Sequence, residues 1–261
     1  MKKLISIDLF ADFGMLKKPD TNQPVYLTFN MLHKPALLGI LGAITGLDGF
    51  KKKGKLPEYY LKLKELQVGI QPLQHENGNF QKTTIAYNNT TGMASKESGG
   101  NLIVTEQTLI APAYRCYFYL ETENELHRKI DKNLSTHHAE YLPYLGKNEF
   151  SVWWEKYREY DSEKFIPENN FKINSIFIKD KPVKEGKAEE YFDLFADLSE
   201  RGNSFIYFER LPVGYMEIAP KQFQYEFRNF VFSDWYYKPE YKTGNFTLLK
   251  TKRDDQIIQV F

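Results

Sequence analysis

Residues 5–14 read ISIDLFADFG, and this stretch decides the predicted fold. Apolar side chains occupy every second position: Ile5, Ile7, Leu9, Ala11 and Phe13. Polar Ser6, Asp8 and Asp12 stand between them. This alternation is typical of a half-buried β-strand. We therefore predict that the fold starts from a strand that ends at Gly14.

The pentapeptide DLFAD of this strand occurs again within residues 192–202, FDLFADLSERG. In the second copy the apolar residues follow helical spacing: Tyr191, Leu194, Phe195 and Leu198. Gly202 stands where a helix takes a left-handed C-terminal cap. The sequence predicts a helix over 187–201. Since no wider similarity surrounds the two copies, we interpret the repeat as chance rather than duplication.

After an extended VYLTF segment, residues 34–50 read KPALLGILGAITGLDGF and predict a helix with Pro35 in its first turn. Glycines inside a helix cost roughly 1 kcal/mol each relative to alanine, so something must approach this backbone closely. One interpretation is a neighbouring strand packed tightly on the helix. The other is a backbone left open for phosphates near the helix N-terminus, where free amides favour anions. The glycine spacing matches no standard nucleotide-binding loop.

Two extended arms, LKLKELQVGIQPL (61–73) and LIVTEQTLIAPAYRCYFYLE (102–121), flank a polar, glycine-bearing segment. They predict a protruding β-hairpin over about 68–110. A capped helix follows at TENELHRKIDKNL, with Thr122 and Glu125 as a capping box. The order strand, helix, strand pair, helix, strand indicates an α+β sandwich of the ferredoxin kind over residues 1–150. Residues 151–261 are rich in aromatic residues and predict short antiparallel pairs, either as a second β-rich unit or as an extension of the first sheet.

Composition and charge limit the classes of function. The chain has 261 residues and a single cysteine, Cys116, which excludes a disulfide framework and a thiolate metal cluster. With no apolar run of transmembrane length, we expect a cytoplasmic protein. Residues 1–70 hold 11 Lys and 6 acidic residues, a net charge of +5, whereas the rest is slightly acidic. The first third can therefore carry an anionic ligand, or it is a solvated lysine surface.

Four stretches together resemble the fifth family of CRISPR-associated proteins, here called the Cas-five family. They are FADFGMLKKPDTN, KPALLGILGAITGL, EQTLIAPAYRCYFYL and YLPYLGKNEF, in this order over the first 150 residues. The aromatic-rich second half and the length look most like the type I-B branch of this family within the RAMP superfamily.

The resemblance implies a modified ferredoxin-like or RRM-type fold whose long hairpin forms a thumb, with a β-rich C-terminal extension. It implies a subunit of a type I CRISPR interference complex, or Cascade, that acts in antiviral defence. Such a subunit binds the 5′ handle of the CRISPR RNA and contacts the backbone and large subunits, with no cofactor and no small-molecule substrate. Single-stranded RNA is held through phosphates and by stacking of bases on aromatic side chains.

With this family in view, several residues are candidate RNA contacts. They are Lys17 and Lys18 after the first strand; Tyr26, His33 and Lys34 before the glycine helix; Gly39 and Gly42 within it; and Lys51, Lys52, Lys53 and Lys55 after it. Further candidates are Lys82, Tyr87, Met93 and Lys96 around the hairpin tip, and Tyr114 and Arg115. Arg115 stands on an apolar strand, so it either pairs with an internal carboxylate or points to a ligand, which is the interpretation we favour.

Alternatives to an RNA clamp remain at this point. Relatives of type I-C cut precursor RNA without metal by means of a Tyr, a Lys and a His, and Tyr26, Lys34 and His33 offer such a trio. Adjacent His137 and His138 lack the spacing of a metal site. A β-rich domain whose exposed aromatics bind carbohydrate or protein is a third hypothesis. We expect Trp153, Trp154, Trp235, Tyr236 and Tyr237 to be divided between the core and subunit contacts.

Overall fold

A computed structural model of the chain describes residues 2–19, 25–88, 103–179, 198–200, 205–238, 246–250 and 255–261. Within them the chain forms helices α1 (Lys34–Thr45), α2 (Glu58–Leu63) and α3 (Glu125–Ser135). The strands up to residue 121 are β1 (Lys2–Ala11), β2 (Phe13–Gly14), β3 (Leu16–Lys17), β4 (Val25–Tyr26), β5 (Thr28–Phe29), β6 (Val68–Leu73), β7 (Lys82–Asn88), β8 (Ile103–Ile110) and β9 (Ala113–Glu121). The later strands are β10 (Val152–Lys164), β11 (Phe171–Lys172), β12 (Phe177–Ile178), β13 (Leu198–Glu200), β14 (Ile206–Ala219), β15 (Gln222–Ser233), β16 (Tyr236–Tyr237), β17 (Phe246–Lys250) and β18 (Gln256–Gln259).

The predicted first strand is β1, and it lies near the middle of a six-stranded antiparallel sheet of order β18-β17-β10-β1-β9-β6. Ile5, Ile7 and Leu9 are buried in the main core, which also contains the apolar side chains of α1 and α3. The expectation of a half-buried strand is wrong, because Ser6 and Asp8 are buried too. The opposite face of the sheet is covered near Leu4, which packs with residues of β9, β17 and β18.

The elements β1, α1, β6, β9, α3 and β10 follow the predicted order of strand, helix, strand pair, helix and strand. The chain is therefore of the α+β class, with much more sheet than helix in the described residues. α1 begins where the sequence predicts, with Pro35 in its first turn and His33 as its N-cap. Gly46 ends it in the left-handed conformation, with a φ of 77°.

The region of the predicted hairpin contains two antiparallel strand pairs instead of one. Leu61 and Leu63 do not belong to a strand arm, because they lie in α2. The strand begins at Val68, and β6 pairs with β9 inside the six-stranded sheet. β7 pairs with β8 from Lys82 opposite Leu109 to Asn88 opposite Ile103. Met93 and Lys96 lie outside the described residues.

α3 forms where the sequence predicts a capped helix, but the predicted cap is wrong. The N-cap is Asn124, whose side-chain oxygen accepts hydrogen bonds from the backbone N–H groups of Leu126 and His127. Thr122 therefore lies two residues before the N-cap, and Glu125 is the first helical residue. Asparagine satisfies the free amides of a helix start at least as well as threonine does.

Strands from both sides of residue 150 share the main sheet, since β10, β17 and β18 extend it beyond β1. β14 and β15 form a hairpin much longer than the predicted short pairs, and β15 also pairs with β12. Of the predicted helix over 187–201, Leu198–Glu200 is a strand that pairs with β16, so the prediction is wrong there. The remainder lies outside the described residues. The division into units 1–150 and 151–261 stays a prediction.

A candidate groove for single-stranded RNA

A groove of about 710 Å³ runs along the exposed side of α1. We call it the α1 groove, and tyrosines from five parts of the chain line it. They are Tyr26, Tyr59, Tyr87, Tyr141, Tyr144, Tyr215 and Tyr225. Pro35, Ala36, Gly39 and Ala43 of the helix form its other wall. Since these helical residues are small, the tyrosine rings face an open space of the size of a ligand-binding cleft.

Two lysine–tyrosine pairs stand in this groove. The Lys17 Nζ atom lies 3.4 Å from the centre of the Tyr26 ring, and the Lys147 Nζ atom lies 4.7 Å from the centre of the Tyr87 ring. Lys147 also forms an ion pair with the buried carboxylate of Glu106. Desolvation lowers the pKa of Lys147, but its hydrogen bonds to Glu106 and Glu149 raise it above the ordinary value. Lys17 therefore presents a positive charge beside an aromatic face, whereas the charge of Lys147 is balanced by Glu106 and Glu149.

The far wall of the groove is a cluster of tyrosines from α2 and the β14–β15 hairpin. The rings of Tyr215 and Tyr225 are stacked with their centres 4.9 Å apart, and Tyr60 packs edge-on against Tyr215. The backbone N–H of Tyr215 donates a hydrogen bond to the Tyr60 hydroxyl at 2.8 Å. Desolvation raises the pKa of Tyr59 to about 12, so this hydroxyl stays protonated at neutral pH. The wall therefore offers both flat rings and hydroxyl groups.

His33 lies where α1 begins and is buried, with 4% of its surface exposed. Its Nδ1 atom accepts a hydrogen bond from the backbone N–H of Ala36 at 3.3 Å. Desolvation lowers its pKa to about 3, so the ring is neutral at physiological pH. The alternative of a surface histidine is therefore wrong, because His33 is a buried helix cap at the lining of the groove, and its contact with RNA stays a prediction. Because Pro35 lacks an N–H and Ala36 gives its N–H to His33, few amides remain for a phosphate.

The other candidates around α1 have different positions. Lys34 is buried, and its Nζ atom donates to the backbone carbonyl of Phe261 at 3.1 Å. Gly42 lies under α2, because a Cβ atom there would come within 2.5 Å of the Tyr59 Cβ atom. Gly39 lines the groove. The glycines therefore admit a neighbouring helix, where the sequence suggested a strand.

Lysines 51, 52, 53 and 55 lie exposed in the loop that follows α1. Lys51 forms an ion pair with Asp48, three residues before it. Phe50, which precedes the lysines, lines the groove and is largely exposed. The loop therefore places charge close to one end of the α1 groove.

Three further candidates meet around Asn30, outside the groove lining. Lys82 donates from Nζ to the Asn30 Oδ1 atom at 2.8 Å, and the Tyr114 hydroxyl donates to the Asn30 carbonyl at 2.7 Å. Lys18 lies 3.5 Å from the carboxylate of Glu209. Tyr114 is completely buried, so no part of its ring can reach a ligand in this structure. Through these contacts, the residues that directly follow β3 and β5 are connected to β7 and β14.

Arg115 pairs with an internal carboxylate, which was the less favoured alternative. Its Nε atom lies 2.7 Å from the Asp8 Oδ1 atom and its Nη2 atom 3.1 Å from Oδ2. Asp8 is buried on the sheet face that looks away from α1 and α3. Arg115 is therefore not a neighbour of the α1 groove.

The paired histidines contact neighbouring side chains, and the aromatic residues of the second half differ in how much of each is exposed to solvent. His137 stacks on Trp154, and the Nε2 atom of His138 lies 3.8 Å from the Glu140 carboxylate. Trp154 and Tyr237 are buried, Trp235 is half-buried, and Trp153 and Tyr236 are exposed. The five aromatic residues are thus divided between core and surface, and their contacts with other subunits stay a prediction.

The fold brings five of the sequence candidates together in the groove: Lys17, Tyr26, His33, Gly39 and Tyr87. Lys147, Tyr144, Tyr215 and Tyr225 were missed. Lys147 and Tyr144 lie in YLPYLGKNEF. The only available signal for them was the nearby proline and glycine, which mark a turn. Tyr215 and Tyr225 arrive by way of a hairpin that is distant in sequence, and nothing local marks them.

No family of known proteins and no curated protein matches this chain. Among solved structures, a CRISPR protein from Archaeoglobus fulgidus is 14% identical, with 99% of each chain covered and a TM-score of 0.45. A chain of a CRISPR RNA-guided surveillance complex is 12% identical, covering 89% of this chain and 90% of that one, with a TM-score of 0.47. A chain of the type III-B Cmr-beta complex bound to cognate target RNA and AMPPnP is 10% identical, covering 91% and 86%, with a TM-score of 0.49.

None of the helices in the described part of the chain is both long enough and apolar enough to cross a membrane.

Proposed function

We propose that this chain is a non-catalytic, cytoplasmic subunit of a type I CRISPR interference complex, of the type I-B kind, and that it holds the 5′ handle of the CRISPR RNA. The observation that carries the proposal is the α1 groove, where tyrosines and two lysine–tyrosine pairs surround an open cleft. The four sequence stretches that resemble the Cas-five family support it, since two of them, FADFGMLKKPDTN and YLPYLGKNEF, supply Lys17 and Lys147.

The chemistry of the groove suits single-stranded RNA better than a double helix. Unstacked bases bind to aromatic faces with about 1–3 kcal/mol each, and every base has such a face. Lys17 supplies a cation that can accompany a phosphate, in a position beside the ring of Tyr26. Tyrosine hydroxyls on the far wall can hydrogen-bond base edges or a ribose 2′-hydroxyl. A duplex would hide the base faces that this wall is able to stack.

We further propose that the fold is of the ferredoxin-like kind. The strand order β10-β1-β9-β6 with two intervening helical connections supports this topology. The antiparallel pair β7–β8 would be the base of the thumb. Exposed Tyr236 is a candidate contact for the backbone or the large subunit, because an exposed aromatic ring marks interaction surfaces.

The positions of the three nuclease candidates favour a clamp over an endoribonuclease. A general acid or base must exchange protons with the RNA, yet His33 is buried, neutral and engaged in the helix cap. Lys34 is buried, and its ammonium donates to the carbonyl of Phe261. Tyr26 and His33 both line the groove, but Tyr26 stands beside an accessible cation, Lys17, whereas His33 is held in the helix cap.

The experiment measures fluorescence anisotropy of a handle RNA labelled at its 3′ end, bound to the purified chain. Tyr26→Leu and Tyr87→Leu should each weaken binding about tenfold, the loss expected for one stacked base. Tyr236→Leu, which removes an exposed tyrosine that does not line the groove, is the matched control and should bind like the wild type. Equal losses in all three variants, or in none, would refute the groove as the RNA site.

A gel assay with repeat RNA and EDTA tests the non-catalytic part. The clamp predicts that the RNA stays intact. A defined cut at the base of the repeat hairpin that is lost in His33→Asn would instead establish the metal-independent endoribonuclease.

A further inference from the structure

A second charged and aromatic site lies on the sheet face that looks away from α1 and α3. Its members come from the three adjacent strands β1, β9 and β10: Asp8, Phe10, Arg115, Trp153, Lys156 and Arg158. Asp8 is completely buried, and the guanidinium of Arg115 donates two hydrogen bonds to its carboxylate, at 2.7 and 3.1 Å. Arg158 approaches the same carboxylate from Nη1 at 3.3 Å, and Lys156 from Nζ at 3.6 Å.

Three cationic side chains surround the carboxylate of Asp8, although one is enough to balance its charge. A bidentate guanidinium such as that of Arg115 already neutralises Asp8 and satisfies both of its oxygens. Arg158 and Lys156 remain in reach of solvent, with 33% and 56% of their side chains exposed. Glu155, which stands opposite Asp8 in the strand ladder, is exposed and adds one negative charge. Three positive and two negative groups leave one net positive charge.

Lys156 reaches Asp8 from a strained backbone conformation. The register between β1 and β10 shifts between Ser6 and Asp8, which indicates a β-bulge, and Lys156 has a φ of 53°. A left-handed φ is strained for lysine, and bulges of this type usually take glycine there. Strain of this kind is characteristic of functional positions. The bulge brings Lys156 to Asp8 beside Arg158, so two cations stand together on one strand.

An exposed aromatic surface adjoins the cations. The ring of Trp153 stacks on that of Phe10, with centres 6.1 Å apart, and 43% of Trp153 is exposed. The pair Phe10–Trp153 stands two ladder positions from Asp8–Glu155, which is about 7 Å along the strands. A flat ring and two accessible cations at this separation suit one base and a neighbouring phosphate of a single strand.

We propose that this sheet face is a second binding site for single-stranded nucleic acid, separate from the α1 groove. Trp153 stacks a base, while Arg158 and Lys156 hold the adjacent phosphate. Arginine binds phosphate through its planar fork, and lysine does so as a point charge. The strand is either a further part of the same RNA or a single strand of DNA. The proposal does not rest on the function proposed for the groove, since the residues belong to the other face of the sheet.

The test uses a chain that already carries Tyr26→Leu and Tyr87→Leu, so that the groove contributes little. The probes are short fluorescent oligouridylate and oligothymidylate, titrated over a series of salt concentrations. Lys156→Gly should weaken binding about fivefold at low salt and reduce the slope of log K against log salt by about 0.7, the value for one lost phosphate contact. Trp153→Leu should weaken binding about tenfold without changing that slope.

Lys221→Gly is the matched control, because Lys221 also has a left-handed φ, 62°, at the far end of the β14–β15 hairpin. It should leave affinity and slope unchanged. Lys156→Gly should not lower the melting temperature, because glycine suits this φ. Equal binding of both probes assigns the site to any single strand, and preference for oligouridylate assigns it to RNA. The proposal fails if Lys156→Gly and Trp153→Leu bind like their parent, or if Lys221→Gly loses as much as Lys156→Gly.

Discussion

The buried His33 makes a sharp prediction about the acid sensitivity of the fold. His33→Asn keeps a side chain that can cap α1, because asparagine is among the best N-cap residues, but removes the titrating ring. The folded protein holds the His33 pKa at about 3, whereas the unfolded chain has the ordinary value near 6.5. Below the unfolded pKa the unfolded chain binds one more proton than the folded chain. Wild-type stability is therefore lost as the pH falls.

The size of this loss follows from the two pKa values. From neutral pH to about pH 5, the His33 ring should cost the wild type about 2 kcal/mol of its free energy of unfolding. Any folded pKa below about 4 gives nearly the same loss at that pH, because only the unfolded state then takes up the proton. His33→Asn should be free of this contribution, although it loses the ring contacts with Phe29 and Tyr225 at every pH.

The assay is urea unfolding of both proteins at neutral pH and at about pH 5. The difference in free energy of unfolding, wild type minus variant, should fall by about 2 kcal/mol between the two conditions. His75 and His127 also have pKa values lowered by desolvation, but they titrate in both proteins and cancel. A wild type minus His33→Asn difference that does not vary with pH would show that His33 is not buried and neutral.

Two further predictions concern α1 and α3. Gly42→Ala should lower the free energy of unfolding by about 1–3 kcal/mol, since the new Cβ atom would meet the Tyr59 Cβ atom. Gly39→Ala should instead raise the free energy of unfolding by up to about 1 kcal/mol, because its Cβ atom would meet nothing closer than 3.7 Å. Urea unfolding measures both variants. Equal changes in the two would contradict the packing of α2 on α1. Asn124→Ala should cost about 1 kcal/mol through loss of the α3 cap, and Thr122→Ala clearly less. If Thr122→Ala lowered the melting temperature more than Asn124→Ala did, Thr122 would be the cap of α3 and the assignment of Asn124 would be wrong.

The sequence was informative where a local pattern and its structural cause coincide. Alternating apolar residues placed β1, and Pro35 with the helical spacing after it placed the start of α1. The burial of Ser6 and Asp8 could not be predicted in this way. It depends on partners from β9, β10 and the C-terminal strands, and an alternating pattern looks the same whether its polar face meets water or arginine.

The same limit applies to the candidate site. Lys17 and Tyr26 could be identified because they flank one short turn-rich segment near the basic start of the chain. Tyr215 and Tyr225 join them only because a long hairpin packs across α1, a contact with no local signature. For His33, the cause of its burial is Phe29 on one side and Tyr225 on the other, and the second is distant in sequence.

Photo-crosslinking of handle RNA that carries iodouridine, followed by mass-spectrometric mapping of the modified residues, tests the central claim most directly. Our account predicts that crosslinks fall on Tyr26, Tyr87, Tyr144, Tyr215 or Tyr225 and disappear when unlabelled handle RNA competes. Competed crosslinks that map only to other surfaces, with the groove tyrosines unmodified, would contradict it.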